Sequence, residues 1–409
     1  MTPAARTQAA IELLDRIIAA AREGGAAADT VIARYFAERR YAGSKDRRAV
    51  RALVYAAIRA FGAPPVSGRA ALVALALVGD ATPRFGWDDE LDWFGPELFD
   101  GSAHGPEPLQ LDEPRAVIDP LSGWASMQLL DALDDDRDAA LAMLDRAPLD
   151  IRVNRLKATR DEVAAAIGEC RPLPPVLDAL RLPSGINVEA MPEWRDGAIE
   201  VQDEGSQIVT MAANAAPGQR VVDLCAGAGG KTLALAAAMA NEGAILACDI
   251  DRARLSRLQP RAERAGVSIV ETRLLYPKRE AEALADWNGK ADCMLVDAPC
   301  SGTGTWRRNP EARWRLTPDR IAKLEKTQAH ILDLGMPLVK PGGTLLYIVC
   351  SLLDEEGAGQ VDRFLERHPG WKAEPLTLPA GTPRGAGLRL TPAHDRTDGF
   401  FVARLKAPC

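Results

Sequence analysis

The spacing of apolar residues divides the chain into a helical first third and a later part in which strands and helices alternate. From Ala5 to about Gly62, apolar side chains recur every three or four residues, which predicts amphipathic helices. The same spacing predicts a helix over Ala70–Leu77 and another over Met127–Leu144. The stretch Pro83–Pro114 is rich in Pro, Gly, Asp and Trp and is typical of an irregular connection. We therefore expect a helical domain over residues 1–140.

The pattern changes near Pro148, where short elements replace the long helices. A strand is predicted over Asp150–Asn154, a helix over Asp161–Ile167, and Pro-rich turns over Arg171–Pro175. These short elements predict a small α/β module over residues 141–200.

From residue 201 to 409, the patterns of buried strands alternate with those of amphipathic helices. The predicted strands are Arg220–Leu224, Ala244–Asp249, Cys293–Asp297 and Gly343–Val349, and the predicted helices are Thr232–Met239, Ala253–Ala265 and Asp319–Leu338. Such alternation is typical of an α/β fold with a mostly parallel, doubly wound sheet. The Gly- and Pro-rich stretch Pro379–Gly387 is predicted to be a surface loop.

Composition narrows the class of protein. Of the 409 residues, 47% are hydrophobic and 26% are charged, as in soluble globular proteins, and no apolar run is long enough to cross a membrane. Charged residues interrupt the apolar stretch Ile11–Ile18, so it predicts an amphipathic helix and not a signal peptide. Seven cysteines without a CxxC pair and only four histidines argue against a zinc site, and Cys248 and Cys293 fall inside predicted strands as small core residues. We expect a cytoplasmic, monomeric protein with reduced thiols and no metal.

The net charge of −7 at pH 7 argues, taken alone, against a nucleic-acid partner, but the charges are unevenly spread. Between Ser301 and His330 lie seven basic and three acidic residues, with Trp306 and Trp314 interleaved. The basic residues are Arg307, Arg308, Arg313, Arg315, Arg320, Lys323 and Lys326. This basic cluster is either a solvated helix face or a surface that contacts RNA phosphates.

A glycine-rich turn follows the first strand of the alternating part. The sequence VVDLCAGAGGKT, Val221–Thr232, passes from a buried strand through glycines into an Ala- and Leu-rich helix. Glycines allow a sharp turn and a close approach of the backbone to a ligand. A phosphate-binding loop would need glycine in place of Cys225, and a dinucleotide fingerprint would need glycine in place of Thr232. The turn instead suits the S-adenosylmethionine loop of class I methyltransferases.

An acidic residue, Asp249, ends the second strand about twenty residues after the glycines, where a carboxylate is suited to bind two ribose hydroxyls. We therefore predict S-adenosylmethionine as the cofactor, against the alternative of an ordinary strand-to-helix turn. The predicted cofactor contacts are Cys225, Ala226, Gly227, Ala228, Gly229, Gly230, Lys231, Asp249 and Asp297. A further alternative is a nucleotide triphosphatase that uses Lys231, which a failure to bind ATP would exclude.

Two more strands end at cysteines. The sequence LVDAPCSGTGTWRRNP, Leu295–Pro310, places Asp297 and Cys300 after one strand, and LLYIVCSLLDEEG, Leu345–Gly357, places Cys350 after another. In open parallel sheets, ligands bind beyond the carboxyl ends of the strands. We therefore expect both thiols to lie at one crevice, together with the strand ends at Asp223, Asp249, Asp297 and Val349.

Two thiols at one crevice suit methylation of cytosine at C5. This carbon is a poor nucleophile, but a thiolate that adds to C6 makes C5 enamine-like, so that C5 can attack a methyl sulfonium. A base must then remove the C5 proton before the thiol can leave, and the attacking thiol must be activated because a free thiol has a pKa of about 8.5. Asp297 could bind the N3/N4 edge of the base. Strand position does not decide which of Cys300 and Cys350 is the nucleophile.

These motifs, with VQDEGSQ (Val201–Gln207) and TDGFF (Thr397–Phe401), resemble the Sun/RsmB (Fmu) family of bacterial RNA cytosine-5 methyltransferases. The resemblance is close over residues 200–405. PLDIRVNRLK (Pro148–Lys157) resembles that family's small RNA-binding module, and the N-terminal helices resemble its NusB-like domain more loosely. The resemblance implies a class I (Rossmann-like) methyltransferase domain over residues 201–409.

For the chemistry, the resemblance implies that Cys350 is the nucleophile, that Cys300 helps to release the product, and that the substrate is a cytosine in folded, ribosomal RNA. Such a base must be unstacked before a sulfur can reach C6.

The chain also departs from the family pattern. Gly227 and Ala228 replace an Ala-Pro pair, and Val349 replaces a threonine before the nucleophile. Thr272 and Arg273 take the place of a Gly-Asp pair near the adenine. The last two departures favour an alternative of another class, a non-catalytic RNA-binding assembly factor that retains the fold.

Overall fold

The structure, a computed structural model, describes residues 1–78, 91–174 and 176–409. The chain forms two units, the first comprising Met1–Arg146 and Thr305–Pro318, and the second Ala147–Gly304 and Asp319–Cys409. Residues 83–90 of the predicted connection, and Pro175 of the predicted turns, lie outside the described residues.

These units differ from the predicted domains 1–140, 141–200 and 201–409. The predicted module forms its own sheet but belongs to the second unit, since Asn154 Nδ2 donates to the carbonyl oxygens of Gly197, at 2.9 Å, and Ala265, at 2.8 Å. The segment Thr305–Pro318, predicted in the last domain, belongs to the first unit.

The first unit is helical, as its periodicity predicts. Its helices are α1 (Pro3–Glu23), α2 (Ala28–Glu38), α3 (Ser44–Ala60), α4 (Gly68–Val78), α5 (Trp124–Ala132) and α6 (Arg137–Ala142). The Thr2 hydroxyl caps α1 by accepting the Ala5 N–H at 3.2 Å, and Gly24 ends this helix with a φ of 71°. The fully buried side chains Leu13, Leu14 and Ile17 of α1 lie in a core that α3 and α4 complete.

The single helix predicted over Met127–Leu144 is wrong, because the chain turns between α5 and α6. Asp134 and Asp135 there have φ values of 55° and 62°, a left-handed conformation that short polar side chains tolerate. Asp136 then accepts the Ala139 N–H at 2.9 Å and begins α6.

The segment Thr305–Pro318 satisfies helix ends of the first unit, so part of the basic cluster is structural. Arg313 is buried, and its Nη2 donates to the carbonyl oxygens of Ile58, Arg59 and Phe61 at the end of α3. Trp314 Nε1 donates to the Phe61 carbonyl oxygen at 2.8 Å. Arg315 donates to the carbonyl oxygens of Gly25 and Ala26, just after α1. The last carbonyl groups of a helix have no hydrogen-bond donor within the helix. The two arginines and the Trp314 indole provide donors for these carbonyl groups, and the arginine charges are also favourable at this end of a helix.

The second unit begins with a four-stranded antiparallel sheet in the order β2-β3-β1-β4. Its strands are β1 (Leu149–Val153), β2 (Arg171–Pro172), β3 (Ala179–Leu182) and β4 (Ile199–Val201), and its helices are α7 (Arg160–Ile167) and α8 (Pro192–Arg195). A capping box of Thr159 and Glu162 begins α7. This sheet and its helices lie in the part of the chain over which short strands and helices are predicted, and the boundaries 141–200 remain a prediction.

The larger sheet has nine strands, of which five are parallel in the order β7-β6-β5-β8-β9. The strands are β5 (Arg220–Asp223), β6 (Ala244–Asp249), β7 (Val270–Leu274), β8 (Ala291–Asp297), β9 (Val339–Val349), β10 (Lys372–Glu374), β11 (Thr382–Arg384), β12 (Gly387–Leu390) and β13 (Phe400–Lys406). The helices are α9 (Glu204–Met211), α10 (Gly230–Ala238), α11 (Arg252–Leu255), α12 (Leu258–Ala265), α13 (Glu280–Leu284), α14 (Pro318–Gly335), α15 (Ala358–Arg367) and α16 (Pro392–Asp395). The remaining strands are antiparallel and extend the sheet beyond β9 through β13.

Three local predictions for this unit are corrected. The helix predicted over Ala253–Ala265 is two helices, α11 and α12, since Pro260 has no N–H to donate to Ser256 four residues earlier. The loop predicted over Pro379–Gly387 contains β11, which pairs with β12 in a hairpin. The edge strand β7 was not among the predicted strands, because its exposed Glu271 and Thr272 break the apolar run.

The order of the parallel strands places a crevice beside the glycine-rich turn. The chain leaves β5 towards β6 and β7 on one side, and returns to β8 and β9 on the other. Ligands bind at such a switch point, beyond the carboxyl ends of the strands. The buried Cys248 and Cys293 lie in the cores on the two faces of the sheet, as predicted.

Candidate active site

The glycine-rich turn connects β5 to α10 and needs glycine at two positions. Gly227 and Gly229 have φ values of 55° and 86°, which side chains with a Cβ rarely adopt. A Cβ on Gly229 would also lie 2.5 Å from Cγ of Leu258. The Ala226 N–H donates to the Cys248 carbonyl oxygen at 2.8 Å, which ties the turn to β6. Backbone conformation and space thus both account for the glycines here.

Asp249 braces this turn. Its Oδ2 accepts the Gly227 N–H at 2.8 Å, and its Oδ1 accepts the Asp251 N–H at 2.7 Å. Each carboxylate oxygen can accept a further hydrogen bond, so the pairing with the turn is compatible with ribose binding. The sequence predicted that Asp249 binds the ribose, but not that it accepts a hydrogen bond from the glycine-rich turn.

A cavity of about 320 Å³ opens beside the turn. Six of the predicted cofactor contacts line it, namely Cys225, Ala226, Ala228, Gly230, Lys231 and Asp297. Gly227, Gly229 and Asp249 are not among its lining residues. Asp203, Asp223, Arg254 and Arg261 also line it and were not predicted as contacts.

Asp223 is the most informative of these additional residues, because the sequence places it at the crevice as a strand end but does not predict it as a cofactor contact. Its Oδ2 accepts the Thr232 hydroxyl at 2.6 Å, whereas its buried Oδ1 has no hydrogen-bond partner among the described residues. Burial raises the pKa of this carboxyl group to about 7. The only sequence signal was its position at the end of β5, one strand from Asp249.

Lys231 and Asp297 form an ion pair at the crevice, with Nζ 2.6 Å from Oδ2. Burial opposes the charge of the lysine, but the Asp297 carboxylate raises the pKa of Lys231 above its ordinary value, so the ammonium form is retained. Phe400 lies behind the pair, with its ring centroid 5.7 Å from Nζ. The ion pair therefore connects Lys231, at the glycine-rich turn, to the end of β8, the strand that precedes Cys300.

The two thiols meet as the sequence predicts. Asp297 and Ile348 are partners in the parallel pairing of β8 with β9, so the residues that follow these strands are adjacent. The Cys300 and Cys350 sulfur atoms lie 3.4 Å apart, and both residues are partly exposed. The hydrogen bond to Cys350 and burial raise the pKa of the Cys300 thiol well above its ordinary value.

Two motifs without an assigned role come together behind the site. Asp203 of VQDEGSQ accepts the N–H of Asp398, in TDGFF, at 3.3 Å on Oδ1. It also caps α9 by accepting the Ser206 N–H at 3.1 Å. The two motifs therefore join the start of α9 to the chain that leads into β13.

The departures from the family pattern lie at defined places. Thr272 and Arg273 lie within β7 and not after it. Arg273 pairs with Asp286, Nη1 to Oδ1 at 2.6 Å, and with Glu271, Nη2 to Oε1 at 2.5 Å. Val349 is fully buried in the core.

Within the described ranges, no three His, Cys, Asp or Glu side chains are grouped so that they could hold a metal ion. None of the helices that the structure describes has the length and apolar character needed to span a membrane.

The strand order, the glycine turn after β5 and the acid that ends β6 define a class I methyltransferase fold. Residues 210–406 match the profile of the family described as 16S rRNA methyltransferase RsmB/F. This part of the chain, residues 210–406, carries the family's methyltransferase domain, and the predicted recognition and fold class are confirmed.

Relatives and solved structures agree with this assignment. The ribosomal RNA small subunit methyltransferase B of Salmonella arizonae is 37% identical over 266 residues, which are 64% of this chain and 60% of that protein. The chain thus aligns with about three fifths of the length of this relative. The crystal structure of PH0851 has a TM-score of 0.75 at 26% identity and covers 98% of both chains. A methyltransferase homolog from Pyrococcus horikoshii has a TM-score of 0.58 at 28% identity, covering 70% of this chain and all of that one.

Proposed function

We propose that this protein transfers a methyl group from S-adenosylmethionine to C5 of a cytosine in ribosomal RNA. The observation that carries the proposal is the contact of the Cys300 and Cys350 sulfur atoms at 3.4 Å, where Cys300 comes three residues after Asp297, which ends β8 and lines the cavity. RNA as substrate is supported by the family and by the name of the Salmonella relative. The choice of C5 is supported by the pair of thiols, which methylation at an amino or hydroxyl group does not need.

The cavity residues fit S-adenosylmethionine. The buried Oδ1 of Asp223 has no partner within the described part of the chain, and it can accept from the ammonium of a methionine moiety. The turn at Gly227 and Gly229 allows the backbone to approach the ligand, and Asp249 would hold the ribose. When bound, the cofactor supplies an electrophilic methyl sulfonium.

In the first step, the Cys350 thiolate bonds to C6 of the target cytosine. The electron pair of the C5–C6 double bond moves to C5, which then bonds to the methyl carbon while the bond from that carbon to the sulfonium sulfur breaks and its electron pair stays on the departing, now neutral, sulfur. Asp297 accepts a hydrogen bond from the N4 amino group, and the Lys231 ammonium at 2.6 Å offsets the negative charge that develops on the ring.

In the second step, Cys300 removes the C5 proton. Before the reaction, its thiol proton is held by the hydrogen bond to Cys350. Once the Cys350 sulfur is bonded to carbon, it carries no charge, so the largest cause of the raised pKa of Cys300 is removed. Loss of the Cys300 proton to water then becomes easier, although burial still opposes it. The Cys300 thiolate then takes the C5 proton, the C5–H electrons re-form the double bond, and Cys350 leaves as a thiolate.

Removal of each thiol tests these roles. Cys350→Ala should be inactive and form no covalent complex with RNA. Cys300→Ala should accumulate a protein–RNA adduct that survives denaturing electrophoresis, because elimination stalls after methyl transfer. Cys170→Ala, at a partly exposed cysteine of the small module, is the control and should behave as wild type. An adduct in Cys350→Ala, with none in Cys300→Ala, would reverse the roles.

The alternative of a non-catalytic assembly factor is favoured by Arg273, which pairs with Asp286 where the family has an acid near the adenine. A labelled methyl group incorporated into unmodified ribosomal RNA, and found as 5-methylcytosine after digestion, would exclude it. Comparison of bisulfite-treated RNA from a deletion strain and its parent would identify the target cytosine.

A further inference from the structure

Two buried side chains hold the backbone on both sides of Cys300. The fully buried Glu356 carboxylate accepts the Ser301 N–H at 2.9 Å on Oε1 and the Ser301 hydroxyl on Oε2. Gln328, also fully buried, donates from Nε2 to the Pro299 carbonyl oxygen and to Glu356 Oε1, each at 3.0 Å. The residues immediately before and after Cys300 are therefore both tied to one carboxylate.

The same hydrogen-bond network joins the loops that carry the two thiols. The Ser351 hydroxyl lies 3.1 Å from the hydroxyls of Ser301 and Thr303. The Gly304 N–H donates to the Cys350 carbonyl oxygen at 3.0 Å. Because these bonds connect the neighbours of both cysteines, they hold the two loops next to each other.

Glu356 is itself anchored to the strand that leads to Cys350. The Tyr347 hydroxyl, from the buried part of β9, donates to the Glu356 carbonyl oxygen at 2.6 Å. Ser301 and Gln328, which bind the carboxylate, are neutral donors. A buried carboxylate needs hydrogen-bond donors in place of water, and here the loop that carries Cys300 provides them. The location of Glu356 beside Cys300 indicates a role beyond packing.

We propose that Glu356 is a positioning residue for Cys300. By holding Ser301, and Pro299 through Gln328, it keeps the Cys300 sulfur where its thiolate form can take the C5 proton of the methylated adduct. The inference rests on the proposed methylation of cytosine, and it adds a residue to which neither the cysteine motifs nor the cavity assign a role.

The proposal predicts which step slows without the carboxylate. Removal of Glu356 leaves the Ser301 N–H and the Gln328 amide without their acceptor, so the loop around Cys300 can shift. A displacement of about 1 Å at a reacting group can cost roughly 10²-fold in rate. Attack by Cys350 and methyl transfer do not use Cys300, so the adduct should still form and then persist.

The experiment compares three variants with unmodified RNA and S-adenosylmethionine. Glu356→Ala should accumulate the covalent adduct and lose roughly 10²-fold in turnover, while cofactor affinity measured by calorimetry is unchanged. Glu356→Gln should be close to wild type, because an amide can accept from the Ser301 N–H and donate to the Ser301 hydroxyl. Glu355→Ala removes the neighbouring, exposed carboxylate and should have no effect.

Combination with Cys300→Ala separates the possible outcomes. If Glu356 acts through Cys300, the double variant should accumulate no more adduct than Cys300→Ala alone. Adduct in Cys300→Ala but none in Glu356→Ala would overturn the positioning role and leave the proposed function intact. No adduct in Cys300→Ala would overturn the proposed function itself. Should Glu356→Ala fail to fold, Gln328→Ala is the substitute, because it removes the hydrogen bonds that connect Glu356 to the Pro299 carbonyl oxygen. An absence of adduct in Gln328→Ala would also overturn the proposal.

Discussion

The buried carboxyl group of Asp223 should make the stability of the second unit depend on pH in an unusual direction. Its pKa of about 7 in the folded protein lies above the ordinary value of about 3.9 expected for the unfolded chain. The folded protein therefore binds the Asp223 proton more tightly than the unfolded chain does. The contribution of Asp223 to stability is complete below pH ~4 and is lost as the pH rises through 7.

The size of the effect follows from the two pKa values. Each tenfold difference in proton affinity corresponds to about 1.4 kcal/mol, so the group costs roughly 1.5 kcal/mol at pH 5 and roughly 4 kcal/mol at pH 8. Asp223→Asn keeps the size of the side chain and removes the titration. Relative to wild type, the variant should gain about 2–3 kcal/mol between these pH values.

The free energy of unfolding is measured in urea at pH 5 and pH 8. Hydrogen exchange in the β5 peptide reports on the second unit separately. Asp292→Asn is a matched control in the adjacent strand β8. Although burial opposes it, the Lys340 ammonium lowers the pKa of Asp292, so this carboxylate is ionised at both pH values and its variant should show a constant difference from wild type. Parallel pH curves for wild type and Asp223→Asn would refute the argument.

Three further predictions concern other parts of the molecule. Asp249→Ala should weaken cofactor binding roughly ten- to a hundredfold, from a loss of ~1.5–3 kcal/mol, and unchanged affinity by calorimetry would remove the ribose assignment. Arg313→Ala should destabilise the first unit by roughly 2–4 kcal/mol, because α3 loses its terminal partners, and unchanged hydrogen exchange in α3 would contradict this. Charge reversal at the exposed Lys323 and Lys326 should weaken RNA binding and flatten its salt dependence, whereas an unchanged salt slope would make this part of the cluster a solvated face.

The predictable elements of the fold are those whose residues are buried on both sides. The strands β5, β6, β8 and β9 lie between two cores, so each reads as a continuous apolar run and was predicted to within a few residues. The edge strand β7 lacks this burial and could not be recognised from apolar residues alone. The division of the predicted helix into α11 and α12 near Pro260 depends on a single missing hydrogen bond. The spacing of apolar residues over a whole helix does not reveal such a local change.

The site was predictable as far as topology determines it. Cys300 and Cys350 follow adjacent parallel strands, so their convergence follows from the alternation of strands and helices. Glu356, however, lies beyond Cys350 in the chain and binds the loop of the other thiol, a contact that strand order does not reveal. That Asp223 Oδ1 lacks a hydrogen-bond partner among the described residues is likewise a consequence of three-dimensional packing, which a sequence motif does not show.

The basic cluster shows why charge counted along a sequence is a weak guide to RNA binding. Arg313 and Lys323 are ten residues apart and carry the same charge, yet one is buried against the end of α3 and the other is exposed on α14. A phosphate contact needs a cation that water, and hence RNA, can reach. A helix end instead needs a donor that remains buried with its carbonyl acceptors. Burial therefore decides which function each cation can have, and the electrostatic surface available to RNA is smaller than the sequence suggests.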